Sequence, residues 1–99
     1  MKEKSDSSIE YHIAETESFA KKIEKKEFSK YYSKIKEYIY PLLNKNPVFG
    51  PDIKHLKGEF SGLYRCRIGD YRLFYHVDLE NNVVTVVDFR HRKDAYKKK

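Results

Sequence analysis

Arginine is confined to the second half of this 99-residue sequence. The first fifty residues contain none, and the five arginines that follow are Arg65, Arg67, Arg72, Arg90 and Arg92. A planar guanidinium group can bind two phosphate oxygens at once, which the ammonium group of lysine cannot do with the same geometry. This segregation indicates a surface that binds phosphate groups, with a chance clustering of five residues as the alternative.

The composition restricts the classes of partner. The formal net charge is +6 and 36% of the residues are charged, which favours nucleic acid, an anionic membrane surface or an acidic protein. The single cysteine, Cys66, excludes an internal disulfide and a multi-cysteine zinc site, and no metal site is predicted. No apolar run approaches the roughly 20 residues that span a bilayer, and no signal-peptide core is visible. We therefore expect a cytoplasmic protein without a membrane partner.

The strands that must position the arginines are indicated by alternating apolar and polar residues. Residues 1–8 are polar and serine-rich and are expected to be a flexible N-terminus, which leaves 9–99 as a single domain. A short strand is predicted within 9–15, and 44–51 is predicted to be a loop. Short turns join three further strands into an antiparallel meander, with predicted strands at 62–68, 71–78 and 83–90.

Apolar residues at helical spacing predict two helices before the meander. Thr16 is expected to cap a helix over 17–26, and Ser29 a second helix that runs to about Leu43. Pro41 is expected to distort the last turn of that helix. Its core-facing stripe is predicted to comprise Tyr31, Ile35, Tyr38, Ile39 and Leu42. Together the elements predict an α+β fold, in which an N-terminal strand and a two-helix hairpin precede a three-stranded meander packed on the helices.

Strand alternation assigns the meander residues to the two sides of the sheet. The apolar side is predicted to contain Tyr64, Cys66, Ile68, Tyr71, Leu73, Tyr75 and Val77. If this side faces the helices, Arg65, Arg67 and Arg72 converge on the opposite, open side, together with His76. Cys66 is then a buried small hydrophobic residue rather than a nucleophile.

Four segments of the chain, in order, resemble the RelE/ParE superfamily of toxins. They match approximately the family patterns L-K/R-G, Y-K/R-x-K/R, Y/H-R-L-x-Y and the closing G-H-R-x-x-V-Y. The matching segments are 55–58 (HLKG), 62–68 (GLYRCRI), 71–75 (YRLFY) and 89–96 (FRHRKDAY). With the order of predicted elements, the resemblance covers about residues 9–96.

The resemblance implies the toxin of a type II toxin–antitoxin system. RelE-like members enter the ribosomal A site and cleave mRNA, with the 2′-hydroxyl of the RNA attacking the adjacent phosphate and no metal or cofactor taking part. The implied partners are the ribosome, mRNA and an acidic antitoxin. The antitoxin is expected to cover the arginine side or to displace the C-terminal tail. Such a reaction needs a base, an acid and cations that neutralise the charge growing on the phosphoryl oxygens.

The resemblance also implies roles for the meander arginines. Arg72 matches the family arginine that grips the scissile phosphate, and a salt bridge to Asp70 or Glu59 is its structural alternative. Arg65 and Arg67 match paired basic residues that are lysines in RelE. Since arginine does not lose its proton, these two can bind phosphate or stabilise charge but cannot act as the general base.

Proton transfer is therefore assigned to the C-terminal segment. His91 is the candidate acid or base because imidazole titrates near neutrality, with a structural or merely solvent-exposed histidine as the alternative. Arg92 matches a family arginine near the leaving group or the phosphate. Tyr96 matches a tyrosine that stacks on a base or shares in proton transfer, with a frayed surface tyrosine as the alternative. Residues expected to bind RNA are Lys54, His55, Lys57, Arg65, Arg67, Arg90 and Lys93. Lys54 occupies the place of the catalytic glutamate of YoeB-like relatives, so that version of the mechanism is not expected.

Two other functions stay open at this point. A ParE-like inhibitor of DNA gyrase shares the fold without nuclease chemistry, and its toxicity would survive the loss of His91. An inactive relative, or a plain nucleic-acid-binding module, would cause no growth arrest on expression.

Overall fold

A mixed β-sheet with helices on one side organises the molecule, which confirms the predicted α+β fold. The computed structural model describes residues 10–95, so the predicted flexible segment 1–8 and the site residue Tyr96 lie outside the described part. Within this range the sheet has the strands β1 (His12–Glu15), β2 (Ile53–His55), β3 (Leu63–Ile68), β4 (Tyr71–Asp78) and β5 (Val83–His91). Their order across the sheet is β1-β5-β4-β3-β2.

The predicted meander and N-terminal strand are both confirmed. β3, β4 and β5 pair antiparallel in sequence order, and Gly69 takes a φ of 58° in the tight turn between β3 and β4. β1 forms one edge of the sheet and pairs parallel to β5. β2, which forms the other edge and pairs antiparallel with β3, was not predicted. Three residues are too few to show an alternating pattern.

The first helix, α1 (Glu17–Ile23), begins where the sequence predicts. The hydroxyl of Thr16 accepts a hydrogen bond from the backbone N–H of Phe19 at 3.1 Å, so the predicted cap is confirmed. Ser29 is not a cap, which corrects the prediction for the second helix. A 3₁₀ turn at Lys26–Phe28 already leads into α2 (Ser29–Lys34), so Ser29 lies inside the helical run.

A π-helical segment, Ile35–Ile39, joins α2 to α3 (Tyr40–Lys45). Tyr40 donates its N–H to the carbonyl of Ile35, five residues back, directly before Pro41, which has no N–H to donate. The wider turn keeps residues four apart on one side, and Ile35, Ile39 and Leu43 are the buried set. Two predicted stripe residues, Tyr38 and Leu42, are instead 60% and 61% exposed.

The main core lies between the helices and the sheet, as predicted. The residues of the sheet that pack there include Cys66, Ile68, Leu73, Tyr75, Val84, Val86 and Phe89. The phenol of the fully buried Tyr75 donates to the carbonyl of Pro47 at 2.6 Å, so its polar atom is satisfied. Cys66 is buried in this core, which confirms the predicted small hydrophobic residue. Burial, with a smaller contribution from Asp52, raises the pKa of its thiol to about 11.

Glu15, at the end of β1, connects this edge strand to α2 and α3 by hydrogen bonds. Its Oε2 atom accepts hydrogen bonds from the hydroxyls of Tyr32 at 2.8 Å and Tyr40 at 2.7 Å. Burial, followed by the Glu15 carboxylate, raises the pKa of Tyr32 to about 12 and raises that of Tyr40 as well. Both phenols therefore remain protonated donors at neutral pH.

The other side of the sheet is not bare, which corrects the expectation of a fully open surface. Leu56, Phe74 and Ala95 are buried together there, and Phe60, Leu63 and Val87 pack against them. The chain that follows β2 and the turn after β5 thus cover part of this side.

Among the described residues, none of the helices combines the length and the hydropathy that a transmembrane helix requires.

Candidate functional site

The strand register places three arginines side by side. Arg67 on β3 lies opposite Arg72 on β4, and Arg72 lies opposite Arg90 on β5. Directly opposite residues point to the same side of a sheet, so the three share the side away from the helices. In a neighbouring row, Lys54 on β2 lies opposite Arg65 on β3. The predicted gathering of Arg65, Arg67 and Arg72 on one side is therefore confirmed.

Carboxylates hold three of the five arginines. Arg67 pairs with Asp52 at 3.1 Å, and Arg90 pairs with Asp88 at 2.7 Å. Arg92 pairs with Asp70 at 3.8 Å, in an arrangement where both side chains are mostly exposed. These partners offset part of the positive charge that the sequence suggested was available.

Arg72 makes no ion pair within residues 10–95. The salt bridge to Asp70 or Glu59, its structural alternative, is not formed. Its Nη1 atom instead donates to the carbonyls of Gly69 at 3.2 Å and Tyr71 at 3.0 Å. These contacts hold the guanidinium group in place. They leave Nε and Nη2 without a hydrogen bond to the described residues, and this edge of the group can bind two phosphate oxygens.

Arg65 is also free of carboxylates in the described part of the chain. Its Nη1 atom donates to the backbone carbonyl of Asp52 at 2.9 Å. Its Nε atom is buried and has no hydrogen-bond partner among the described residues. A guanidinium N–H group without an acceptor among these residues is a donor that a ligand oxygen can engage.

Arg65 and Arg72 face a basic cleft of about 520 Å³ on this side of the sheet. Four of the six lining residues are cationic and none is acidic; the lining comprises Lys54, His55, Leu56, Lys57, Arg65 and Arg72. Gly58, which ends the HLKG segment, takes a φ of 68° and lets the chain turn directly after Lys57. The structure thus brings together five of the predicted site residues, all except Leu56 in this lining. The name basic cleft refers below to this cleft and its six lining residues.

His91 lies on the other side of the sheet from Arg72. It is opposite Tyr71 in the register, and its ring meets the Tyr71 ring edge-on at a centroid distance of 5.2 Å. Tyr71 packs against the helix-side core. The Nδ1 atom of His91 accepts the N–H of Lys93 at 3.2 Å. The predicted roles of His91, Arg92 and Lys93 stay predictions, as does that of Tyr96 outside the described residues.

Sequence reasoning missed the aspartates that set the arginine geometry. Asp52 binds Arg67 with its carboxylate and Arg65 with its carbonyl. Asp88 accepts from Lys22 at 2.9 Å and from Arg90 at 2.7 Å. Burial raises the pKa of Asp88, but the hydrogen bonds from these two cations outweigh that effect and hold it below its ordinary value. The Asp52 contacts depend on the pairing of β2 with β3, and the Lys22 contact depends on the packing of α1, so no local pattern indicates them. Asp88 and Arg90, by contrast, lie two residues apart on β5 and share a side by alternation.

Comparison with known proteins assigns the family. The model of the ParE toxin of the type II toxin–antitoxin system, parDE, matches residues 13–96. The chain therefore belongs to this toxin family, within the RelE/ParE superfamily, and is the toxin of a type II toxin–antitoxin pair.

Individual relatives agree with this family assignment. The toxin RelE of Mycobacterium tuberculosis is 30% identical over 88 residues, which are 88% of this chain and 87% of that protein. The toxin RelG of the same organism is 38% identical over 45 residues, which are 46% of this chain and 52% of RelG. In the crystal structure of the M. tuberculosis RelBE2 toxin–antitoxin complex, one chain superposes with a TM-score of 0.73 at 25% identity, covering 85% of this chain and 100% of that one.

Proposed function

We propose that this toxin is an endoribonuclease that cleaves mRNA in the ribosomal A site by attack of the RNA 2′-hydroxyl on the adjacent phosphate. The observation that carries the proposal is the basic cleft, where Arg65 and Arg72 have no carboxylate partner within residues 10–95. A cleft of cations without acids suits a polyanion, and its fixed arginine edges suit a phosphate that gains charge in a transition state.

The phosphate-binding role falls to Arg72 first. Its guanidinium group is held by two carbonyls, so it does not have to be ordered when the RNA binds. The Nε and Nη2 edge would bind two oxygens of the scissile phosphate. Arg65, with Lys54 and Lys57, would bind the same or the next phosphate.

Proton transfer is proposed for the end of β5. His91 is paired in register with Tyr71, the residue directly before Arg72, but points to the helix side, so the RNA would have to curve around this end of the sheet to reach both groups. His91 would transfer a proton between the 2′-hydroxyl and the leaving 5′-oxygen, while Arg92 and Tyr96 would act near the leaving group. The resemblance to the superfamily supports these three roles.

An acidic antitoxin is the proposed inhibitory partner. The RelBE2 chain compared above was solved as a toxin–antitoxin complex, and this chain carries a net charge of +6. The antitoxin would cover the basic cleft or move the C-terminal segment away from it. Hydrogen exchange should then slow across 62–95 when a co-expressed antitoxin is bound; unchanged exchange in that range contradicts this arrangement.

Induced expression with mapping of transcript ends tests the nuclease directly. The wild type should arrest growth and produce new mRNA ends in phase with codons. Arg72→Ala should reduce cleavage by about 10²–10³-fold, and His91→Ala by about 10²–10⁴-fold. Lys34→Ala, which removes one charge from the exposed surface of α2, is the matched control and should cleave like the wild type.

The same experiment separates the competing functions. Growth arrest without mRNA cuts, undiminished in His91→Ala, would refute the nuclease and indicate a gyrase inhibitor. Absence of arrest with a folded, expressed protein would leave a binding module without toxicity.

A further inference from the structure

Three aromatic rings form a continuous stack across β2, β3 and β4. The rings of His55 and Tyr64 lie 4.4 Å apart, centroid to centroid, and are tilted by only 8°. Tyr64 in turn stacks on Tyr75 at 5.9 Å and 13°. Since Tyr75 is fully buried and hydrogen-bonded to Pro47, the stack is anchored in the core at one end.

The other end of the stack is open. β2 is the edge of the sheet, and no described strand follows it. His55 is exposed, although one of its ring faces lies on Tyr64. An aromatic ring held flat at a sheet edge, with its second face uncovered, is a surface on which another planar ring can stack.

This open ring adjoins the basic cleft. His55 and Lys54 are neighbours on β2, and both line the cleft with Arg65. Their side chains alternate across the strand, so the cleft reaches around the edge of the sheet. A nucleotide whose phosphate lies against Lys54 and Arg65 can extend its base over the edge towards the outer face of His55.

We propose that His55, supported by Tyr64 and Tyr75, is a stacking platform for one base of a single-stranded RNA whose phosphate occupies the basic cleft. The inference rests on the proposed RNA substrate and adds the position and the kind of base contact. Stacking accepts every base, but larger purine rings should bind more strongly than pyrimidines.

Binding to two labelled hexamers tests the platform. The first is hexa-adenylate RNA, and the second is a hexamer of the same phosphate count with abasic ribose at every position. His55→Ala in the full-length toxin should weaken binding of hexa-adenylate by about 5–150-fold. It should leave binding of the abasic hexamer unchanged, because that chain offers only phosphates and sugars. His55→Phe keeps a flat ring and should retain the affinity for hexa-adenylate.

His12→Ala is the matched control, since His12 is an exposed histidine on the other edge strand, β1. It should bind both hexamers like the wild type. Equal losses for the two hexamers in His55→Ala, or a loss in His55→Phe as large as that in His55→Ala, would overturn the platform while leaving RNA binding in place. A wild type that binds neither hexamer at low salt would overturn the proposed RNA substrate itself, and the platform with it.

Discussion

The two sides of the central sheet differ in what the side chains of β4 contact. On the helix side, Leu73 is fully buried in an apolar core whose polar atoms, such as the Tyr75 hydroxyl, are satisfied. Arg72, the residue directly before Leu73 on the same strand, points to the other side and borders a cleft lined by cations. One strand can therefore serve stability and binding at once, because successive side chains point to opposite sides.

Separate truncation of Leu73 and Arg72 is the strongest test of this difference between the two sides of the sheet. Leu73→Ala removes a fully buried side chain and should lower the free energy of unfolding by about 2–5 kcal/mol. Arg72→Ala should lower that free energy by only about 0.5–1.5 kcal/mol, because the side chain makes no ion pair in the described residues and loses only its hydrogen bonds to two carbonyls near the surface. Urea denaturation of both variants measures the difference. A large loss of stability in Arg72→Ala would make Arg72 a structural residue.

A smaller effect is expected where the charged side reaches the helices. Asp88→Asn should lower the free energy of unfolding by about 1.5–3 kcal/mol at pH 7, because it weakens charged hydrogen bonds to Lys22 and Arg90. The folded-state pKa of Asp88 lies below its ordinary value of 3.8. Its stabilisation is therefore complete above that value and is lost as the pH falls through the lower folded-state pKa.

Thermal unfolding from pH 7 down to pH 2 measures this dependence. The wild type should lose more stability on acidification than Asp88→Asn, which has no carboxylate to protonate at this position. Glu37→Gln, on the exposed surface of the second helix, is the control and should keep the wild-type profile. Identical acid profiles for wild type and Asp88→Asn contradict the role assigned to Asp88.

The smallest effect concerns the difference between paired and unpaired arginines. Asp52→Asn should free Arg67 from its ion pair and so add one cation to the phosphate-binding side. Binding of single-stranded RNA should tighten, and the slope of log K against log salt should steepen by about 0.7. Fluorescence titrations at several salt concentrations give that slope. An unchanged slope would indicate that Asp52 does not withhold Arg67 from RNA.

Local patterns account for much of the fold. Thr16 caps α1 through a contact three residues away, and the alternation of Arg65 and Arg67 around Cys66 gives their sides of β3 directly. Tyr38 and Leu42 were misassigned because the π-helical segment changes the helical period before Pro41.

The side of the sheet that Asp88 occupies and the pairing of Asp52 with Arg67 could not be predicted, because both depend on register. Simple alternation from Val84 and Val86 would place Asp88 on the helix side. A β-bulge opposite the step from Phe74 to Tyr75 shifts the alternation, so that Phe89 points to the core while Asp88 and Arg90 both point to the other side. Likewise, Asp52 meets Arg67 only because the unpredicted strand β2 pairs with β3.

The parallel pairing of β1 with β5 has a consequence for how the toxin is made. Among the described strands β1 pairs only with β5, about 70 residues later in the chain, so the hydrogen bonds between the two strands cannot form until β5 has been synthesised. The helices and the β3–β4 hairpin rely on contacts nearer in sequence and can form earlier. Before β5 is made, Glu15 can already reach its partners Tyr32 and Tyr40, but the backbone of β1 has no strand to pair with. A nascent chain that stops short of β5 therefore exposes the unpaired edges of both β1 and β4.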